Sequence, residues 1–451
     1  MNAAAHTLDA STPTTLVYGL GGTGLSLARY FKRRGERVAF LDSREEPPGM
    51  AELRAVMPDA EVTLGEFDEA ALSGVSRVVV SPGIPDHDPI LGRLRETGVE
   101  LLSDVDLFVE QCEAPFVAIT GSNGKSTVTT LVERMCQCAD VNALAGGNLG
   151  RPALDLLAEE TPAFYVLELS SFQLQRTRQL PAEVAVLLNI SPDHLDWHRD
   201  EAEYRAAKQR IYDEATHAVF NRDDNATTPP DGKTRDRLSF GMGEAPDKEF
   251  GLLAVDGEEY LAVGDEALMP VAEIALVGRH NYANALAALA VGTLIGLPMA
   301  PMLETLRQFG GLEHRMQFVR ELNGVRYIND SKATNVGAAI AAVLSVEGPV
   351  VLLAGGQGKG GDFDALADAI SSKLKAIVVF GEDADKLEHA FQGKAEVIPV
   401  PDMAEALAVA HSRAAAGDTV LLAPACASFD QFKNFPARGD AFCKQVMELP
   451  Q

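Results

Sequence analysis

The sequence lacks the features that mark several classes of protein. Its five cysteines form no C-x-x-C pair and are odd in number, which argues against a zinc site or a disulfide framework. Basic residues are also scarce, with 39 Lys and Arg against 65 Asp and Glu and a net charge of -26. Such a chain is unsuited to a non-specific electrostatic grip on nucleic-acid phosphates. Any anionic substrate must therefore be held by a local group of positive charges.

Signals for secretion or membrane insertion are missing as well. The first 15 residues contain no basic stretch followed by an apolar one, so we expect no signal peptide. One uncharged run, residues 281–303, is long enough to cross a membrane, but it contains Asn284, two glycines, Pro298 and Pro301. We predict instead a buried helix that ends before Pro298, in a cytoplasmic protein with no membrane insertion.

The chain of 451 residues is long enough for about three domains. Short β-branched apolar runs alternate with helical stretches, the pattern of parallel sheets joined by crossover helices. Three such blocks begin near residues 16, 116 and 311. The dipeptide Asp256-Gly257 predicts a hairpin among short strands before the uncharged helix. The sequence therefore predicts an α/β protein.

The first block contains a G-x-G-x-x-G motif, Gly19-Leu-Gly-Gly-Thr-Gly24, between a predicted strand and a predicted helix near residues 25–34. Asp42 ends the next strand. Glycines let the backbone approach a pyrophosphate at the helix N-terminus, and an acidic side chain can bond a ribose hydroxyl. We expect a nucleotide diphosphate here rather than an empty tight turn, and the motif leaves the nucleotide open.

The second block contains Thr120-Gly-Ser-Asn-Gly-Lys-Ser-Thr127 after an apolar strand and before a helix expected around Val128. In such a loop backbone N–H groups surround phosphates, Lys125 neutralises the β/γ region, and a hydroxyl of Ser126 or Thr127 can hold Mg²⁺. The standard P-loop spacing would require glycine at position 119, which is Ile119. We interpret the segment as a shortened ATP-binding loop.

Two further side chains follow strand ends in this block. Glu168 ends one predicted strand, and His194 lies just after another, at the edge where open α/β sheets bind ligands. Either can ligate Mg²⁺. Taken alone, each would be an ordinary surface or capping residue, so their shared position at strand ends carries the prediction.

Together these motifs resemble the Mur ligases of peptidoglycan synthesis. The resemblance extends in order from Gly19 to Phe435, nearly the whole chain, and no single motif decides it. The matching segments are Thr120–Thr127, Gly146–Gly150, Glu168–Gln173, Ser191–His194, His280–Tyr282, His314-Arg315, Asn329–Asn335 and Pro424–Phe435.

This resemblance implies three domains and a reaction. Residues 1–103 would form a Rossmann-like domain for a UDP-linked substrate, 104–311 a central P-loop ATPase-like domain, and 312–451 a C-terminal Rossmann-like α/β domain for an amino acid. The implied reaction is an ATP-dependent addition of D-glutamate to UDP-N-acetylmuramoyl-L-alanine through an acyl phosphate. We further expect a monomer that binds no nucleic acid.

The resemblance also implies roles for individual residues. The UDP substrate would be bound by Gly22, Thr23, Asp42, Arg44, Ser81 and Asn148. ATP would be bound by Gly121, Asn123, Gly124, Lys125, Ser126, Thr127, Asn281, Arg315 and Asp330. Two Mg²⁺ ions would be held by Ser126, Glu168, His194 and Lys208. D-Glutamate would be surrounded by Lys332, Thr334, Lys359, Ser428 and Phe435. The catalytic group would comprise Lys125, His194, Lys208 and Lys332.

Two positions are less simply interpreted. Lys208 matches a lysine that is carbamylated in the family, although by composition it is a helix-surface lysine between Arg205 and Arg210. Gly22 stands where the family can have a larger apolar residue, and the pair Trp197-His198 has no interpretation.

Three alternatives remain at this point. A nicotinamide-dependent dehydrogenase would use the Gly19–Gly24 motif and Asp42 but leave the Lys125 loop without a role. A folate-polyglutamating ligase would share that loop but lack the first block. A non-catalytic nucleotide sensor would require the metal and lysine positions to be idle.

Overall fold

The structure is a computed structural model of the chain. It describes residues 14–65, 75–96, 98–191, 193–194, 197–232, 234–276, 278–358 and 360–450. Within these ranges the strands form three sheets; the first sheet and most of the second belong to one compact unit, and the third belongs to another.

The first sheet has five parallel strands in the order β3-β2-β1-β4-β5. These are β1 (Thr14–Tyr18), β2 (Val38–Asp42), β3 (Glu61–Leu64), β4 (Val75–Val80) and β5 (Glu100–Leu102). The accompanying helices are α1 (Gly22–Arg34), α2 (Met50–Val56) and α3 (Pro89–Glu96). The strand order reverses between β1 and β4, the switch point at which doubly wound sheets bind ligands. Both the G-x-G-x-x-G turn and Ser81 lie at this point.

The second sheet has nine strands in the order β14-β13-β12-β11-β10-β9-β6-β8-β7. These are β6 (Phe116–Thr120), β7 (Ala143–Gly147), β8 (Phe164–Glu168), β9 (Val184–Leu187), β10 (His217–Asn221), β11 (Asp236–Phe240), β12 (Phe250–Val255), β13 (Glu258–Val263) and β14 (Glu266–Pro270). Its helices are α4 (Asp104–Gln111), α5 (Lys125–Cys138), α6 (Ala153–Leu156), α7 (Ser171–Arg176), α8 (Glu201–Gln209), α9 (His280–Leu294) and α10 (Met299–Gln308). Strand β6 is central and runs parallel to both neighbours, β8 and β9.

The third sheet has six strands in the order β15-β16-β20-β17-β18-β19, parallel except for β15 at one edge. These are β15 (Gln317–Leu322), β16 (Val325–Asn329), β17 (Val350–Gly355), β18 (Leu374–Phe380), β19 (Val397–Pro399) and β20 (Thr419–Leu422). Its helices are α11 (Val336–Ser345), α12 (Phe363–Ile370), α13 (Ala384–Phe391), α14 (Met403–Arg413) and α15 (Phe435–Glu448).

The strands are parallel because their sequences suit burial on both faces. Every residue of β2, β6 and β17 is buried, as expected where helices cover both sides of a parallel sheet. The predicted α/β class is confirmed. The Asp256-Gly257 hairpin is confirmed too, since β12 and β13 flank it and both turn residues have positive φ, 50° and 88°.

The uncharged run forms a buried helix, as predicted. Helix α9 ends at Leu294, before Pro298, and its residues Ala285 to Val291 are fully buried. Among the residues described by the structure, none of the helices combines the length and the apolar character that crossing a bilayer requires.

Candidate functional site

The Thr120–Thr127 loop joins β6 to α5 at the carboxyl edge of the second sheet. Its last glycine, Gly124, caps α5 with φ 82°, a left-handed conformation that favours glycine. A Cβ on Gly121 would come within 2.9 Å of the Leu188 Cβ, so the loop runs close to the neighbouring strand end. Helix α5 begins at Lys125, three residues before the predicted Val128, so the hydroxyls of Ser126 and Thr127 lie in its first turn.

Residues beyond β9 hold this loop in shape, and the sequence analysis assigned no role to them. The Asn123 amide donates to Asn189 Oδ1 at 2.8 Å, and Asn189 Nδ2 donates back to the Asn123 carbonyl at 3.1 Å. The Ser122 hydroxyl lies 2.8 Å from the Tyr204 hydroxyl and accepts from the Ser191 amide at 2.9 Å. The conformation of the Thr120–Thr127 loop is thus fixed by hydrogen bonds to the rest of the protein.

The Lys125 ammonium folds over the loop itself. Its Nζ donates to the carbonyls of Gly121 at 2.8 Å and Ser122 at 3.0 Å. Both acceptors belong to the residues that precede the glycine turn. The positive charge is therefore held beside the loop amides and the N-terminus of α5, where anions bind.

Three predicted residues meet at the end of β8. The Ser126 hydroxyl donates to Glu168 Oε2 at 2.5 Å, and Asn148 Nδ2 donates to Glu168 Oε1 at 2.7 Å. Gly147 allows this approach, because a Cβ on it would lie 2.4 Å from the Glu168 carbonyl oxygen. A buried carboxylate beside a hydroxyl is an oxygen donor set that suits Mg²⁺, which is held by one or two carboxylates together with substrate phosphates.

His194 lies near the end of β9 but does not complete a protein-only metal cage. Its backbone has φ 55°, its ring stacks edge-on against Phe172 with centroids 4.8 Å apart, and Nε2 lies 3.6 Å from Asp193 Oδ2. Within the described ranges, no three His, Cys, Asp or Glu side chains lie close enough together to hold a metal ion. The pair Trp197-His198 packs here too, with Trp197 4.3 Å from the Phe172 ring centroid.

Lys208 is buried, so its interpretation as a helix-surface lysine is wrong. Only 2% of the residue is exposed, and Nζ donates to the Gly121 carbonyl at 2.9 Å and to Thr120 Oγ1 at 3.3 Å. Burial, aided by the nearby Lys125 charge, holds the pKa of Lys208 well below its ordinary value. Lys208 and Lys125 therefore both donate to the Gly121 carbonyl.

In the first sheet, two of the motif glycines are required by close contacts. Gly19 has φ 104°, and a Cβ there would lie 2.8 Å from the Ser81 Cβ; a Cβ on Gly24 would lie 2.2 Å from the Gly19 carbonyl oxygen. Gly22 is different, since it is exposed and a Cβ would meet nothing within 4 Å. A larger residue at Gly22 is therefore compatible with the turn. Thr23 follows in the first turn of α1.

The carboxylate of Asp42 is already engaged within the protein. It accepts from the Leu20 amide at 2.7 Å and forms a two-pronged ion pair with the Arg44 guanidinium at 2.8 and 2.7 Å. Burial by itself raises the pKa of Asp42, but the Arg44 and Leu20 hydrogen bonds outweigh it and the pKa is lowered. Asp42 thus holds the Arg44 guanidinium, whose side chain is half exposed, beside the end of β2.

The second compact unit contains the remaining nucleotide candidates. Asn281 is buried at the start of α9 and accepts from Asn284 Nδ2 at 2.8 Å. Burial raises the pKa of Asp330 to about 7, although the Arg315 charge and the Met316 amide oppose the rise. Asp330 follows directly after β16, at the carboxyl edge of the third sheet.

Most of the predicted amino-acid site lies at this same edge. The Lys332 ammonium stands over the Phe435 ring at 4.3 Å from its centroid, and Ser331 Oγ donates to the Phe435 carbonyl at 2.9 Å. Thr334 follows two residues after Lys332, and Ser428 is buried beyond β20. Lys359 lies outside the described residues.

A buried arginine that the motifs did not point to, Arg438, ties these loops together. Its guanidinium donates to Ser331 Oγ at 3.0 Å, to the Ser331 and Cys426 carbonyls at 2.9 and 3.1 Å, and to the Gly355 carbonyl at 3.3 Å. These acceptors lie in the loops after β16 and β20 and at the last residue of β17, where the next loop starts. Arg438 is fully buried, and burial lowers its pKa to about 10, so it stays charged at neutral pH.

Replacing Arg438 by Met should loosen all three loops at once. We expect the opening free energy of the Gly355–Gln357 amides, measured by hydrogen exchange, to fall by about 3 kcal/mol, because buried charged hydrogen bonds are lost. Arg413→Met, which removes an exposed arginine of α14 paired with Glu396, is the control and should change it by less than about 0.5 kcal/mol. Equal effects of the two variants would contradict this role.

Comparison with protein families matches three successive parts of the chain. Residues 13–103 match the Mur ligase MurD-like N-terminal domain, residues 119–292 the Mur ligase middle domain, and residues 314–426 the Mur ligase glutamate ligase domain. The chain is also 48% identical over 446 residues to the UDP-N-acetylmuramoylalanine–D-glutamate ligase of Pseudomonas aeruginosa, covering 98% of this chain and 99% of that protein.

Solved structures share the fold at lower identity. The UDP-N-acetylmuramate–alanine ligase MurC of Thermotoga maritima superposes with a TM-score of 0.60 at 18% identity, covering 97% of this chain and all of that one. The MurF ligase of Thermotoga maritima, solved in complex with ADP, gives a TM-score of 0.60 at 17% identity and covers 98% of this chain and 99% of that one. The three-domain α/β prediction is confirmed.

Proposed function

Since the chain belongs to the Mur ligase family, we propose that it joins D-glutamate to UDP-N-acetylmuramoyl-L-alanine in an ATP-dependent step of peptidoglycan precursor synthesis. The observation that carries this proposal is the 48% identity, across nearly the full length of both chains, to a ligase named for that reaction. The first-sheet domain and the Lys125 loop both have a role in it. Neither the dehydrogenase nor the folate-ligase alternative uses both.

The chemistry requires activation of a carboxylate. At neutral pH a carboxylate is a poor acyl donor, so transfer of the ATP γ-phosphoryl group to the alanyl carboxylate would give an acyl phosphate. The D-glutamate amine would then attack the acyl carbon, forming the amide and releasing phosphate. The protein mainly positions and neutralises charge in such a reaction. Lys125, held over the loop amides, supplies positive charge beside the transferred group.

The Mg²⁺ assignment rests on the chemistry of the donor groups. We propose that Ser126 and Glu168 hold one ion together with ATP phosphates, and that His194 and a carbamylated Lys208 hold a second. The ions would supply charge neutralisation on the phosphates. Lys208 suits carbamylation because burial lowers the pKa of its amine, which favours the neutral form, and only a neutral amine adds CO₂.

The UDP end would bind at the switch point of the first sheet. Gly22, Thr23 and the α1 N-terminus would face the diphosphate, with Arg44 supplying positive charge and Asp42 orienting it. Ser81 would shape the floor of this site, since its hydroxyl bonds the Gly19 carbonyl. We assign Asn148 to the sugar-peptide end, where it already bonds Glu168.

The remaining assignments concern the second compact unit. D-Glutamate would be bound by Lys332, Thr334, Lys359, Ser428 and Phe435, and the nucleotide would also be positioned by Asn281, Arg315 and Asp330. We further propose the domain limits 1–103, 104–311 and 312–451, and a monomeric, cytoplasmic protein.

Phosphate release and calorimetry test the proposed function directly. Phosphate release should require UDP-N-acetylmuramoyl-L-alanine, ATP and D-glutamate together, and L-glutamate, L-lysine and meso-diaminopimelate should not replace D-glutamate. Calorimetry should detect binding of the UDP substrate and none of NAD or NADP. Release with another amino acid would reassign the specificity, and NAD binding without UDP-substrate binding would favour the dehydrogenase.

A further inference from the structure

We propose that Arg176 is a positioning residue for the diphosphate end of the substrate, acting through the loop Ser81-Pro-Gly-Ile84, here called the Ser81 loop. The inference rests on the proposed function, because it takes the Gly19–Gly24 turn as the site of the UDP group. No sequence motif points to Arg176. Its role is inferred from the bonds it makes across the fold.

Arg176 is the last residue of α7 and bonds two backbone carbonyls of the Ser81 loop. Nη1 donates to the Ser81 carbonyl at 3.2 Å, and Nη2 donates to the Ile84 carbonyl at 2.8 Å. Nη2 also lies 3.8 Å from Asp86 Oδ1, and only 8% of the Arg176 side chain is exposed. One buried guanidinium therefore grips both ends of this loop.

The Ser81 loop in turn supports the glycine turn. The Ser81 hydroxyl donates to the Gly19 carbonyl at 2.9 Å, and the Ser81 amide donates to the Tyr18 carbonyl at 2.9 Å. The space beside Gly19 is so narrow that an added Cβ would meet the Ser81 Cβ at 2.8 Å. A shift of the Ser81 backbone must therefore move or distort the turn that would hold the diphosphate.

Helix α7, which carries Arg176, is also held in place at both of its ends. Helix α7 starts three residues after Glu168, and its N-terminus has a capping box between Ser170 and Gln173. At its C-terminus, Arg210 Nη1 donates to the Gln175 carbonyl at 3.0 Å and Nη2 to the Thr177 carbonyl at 2.6 Å, one on each side of Arg176. The position of the Arg176 backbone is thus defined by the same part of the fold that supplies Glu168.

Arg176 is a buried charge whose hydrogen-bonding groups are not all satisfied, and packing alone does not explain it. Burial lowers the pKa of its guanidinium, an effect that the Asp86 charge opposes. Its Nε is buried and has no hydrogen-bond partner among the described residues. An incompletely satisfied buried charge is an unfavourable way to fill space. The grip on the Ser81 loop gives this arginine a function that an apolar side chain cannot provide.

The test compares Arg176→Met with Arg178→Met. Methionine keeps most of the side-chain volume but has no hydrogen-bond donor. Arg178 is an exposed neighbour paired with Glu100 and is the matched control. In Arg176→Met we expect faster hydrogen exchange in the peptide spanning the Ser81 loop and a rise of about tenfold in KM for UDP-N-acetylmuramoyl-L-alanine. The kcat and the KM for ATP and D-glutamate should stay within about twofold, and Arg176→Lys should be intermediate.

The outcomes separate this inference from the function on which it rests. If the wild-type protein binds the UDP substrate and Arg176→Met leaves its KM or the loop exchange unchanged, this inference alone is overturned. Equal rises in KM for all three substrates would mean general destabilisation and would also overturn it. If the wild-type protein does not bind the UDP substrate in calorimetry, the proposed function fails, and this inference fails with it.

Discussion

Lys125→Met should lower phosphate release by on the order of a hundredfold while leaving the protein folded. The Lys125 ammonium donates to two carbonyls of its own loop, Gly121 and Ser122, and its side chain is only partly buried, so its removal should take little from the packing of the second sheet. It does take away the positive charge beside the site proposed for the ATP phosphates. A hundredfold loss corresponds to about 2.7 kcal/mol of transition-state stabilisation.

The control for this variant lies on the same helix. Arg134→Met removes one positive charge from the exposed face of α5, where Arg134 bonds Gln137, and should leave turnover within about twofold. Steady-state phosphate release measures the effect, and circular dichroism checks the fold. Near-normal turnover by folded Lys125→Met protein would remove the loop from the catalytic site.

Lys208→Met should also abolish most activity, for a different reason. We expect ¹³C-bicarbonate to give a carbamate carbon resonance in the wild-type protein, because the lowered pKa of Lys208 favours the neutral amine, which would add CO₂ and release a proton. As the pH falls the amine gains a proton and the carbamate is lost, so activity should decline on the acid side and recover partly with added bicarbonate. The measurement is ¹³C NMR alongside phosphate release.

Although Lys208→Met should lower activity, we expect it to raise the stability of the protein. In the apo protein without bicarbonate, the lowered pKa of Lys208 means that the unfolded state binds a proton more readily, so stability rises with pH up to the ordinary lysine pKa. Lys208→Met removes this dependence and should unfold at a higher temperature at neutral pH. Lys248→Met, at an exposed position, is the control for both measurements. A carbamate resonance that persists in Lys208→Met would assign it to another amine.

The three α/β blocks could be predicted from the sequence because many of their strands are short and apolar, and β1, β6 and β17 each lead directly into a glycine turn. Residues at strand ends, such as Glu168, could be predicted for the same reason, since the carboxyl ends of parallel strands share one edge. The edge strand β15 could not be predicted, because it is antiparallel and only partly buried.

Lys208 was wrongly interpreted as a surface residue, although the spacing of its neighbours predicts that it is buried. Tyr204, Ala207, Lys208 and Ile211 follow the i, i+3, i+4, i+7 spacing of one helix face, and the three apolar members of this set are buried. This spacing outweighs the charged neighbours Arg205 and Arg210, which lie off this stripe. Arg176 is another case: its acceptors are backbone carbonyls about 90 residues away along the chain, and no local pattern encodes them.

The hydrogen bonds of Arg438 allow the amino-acid specificity of this fold to change without loss of its loop structure. Three of its four acceptors are main-chain carbonyl oxygens, which every residue type provides. The frame of the loops after β16, β17 and β20 therefore does not depend on most of the side chains that these loops carry. Side chains proposed to bind the amino acid could therefore be exchanged while the backbone of these loops keeps its position. Because Arg438 bonds mainly main-chain atoms, substitutions that change selectivity can occur in these loops without disturbing the backbone that Arg438 holds.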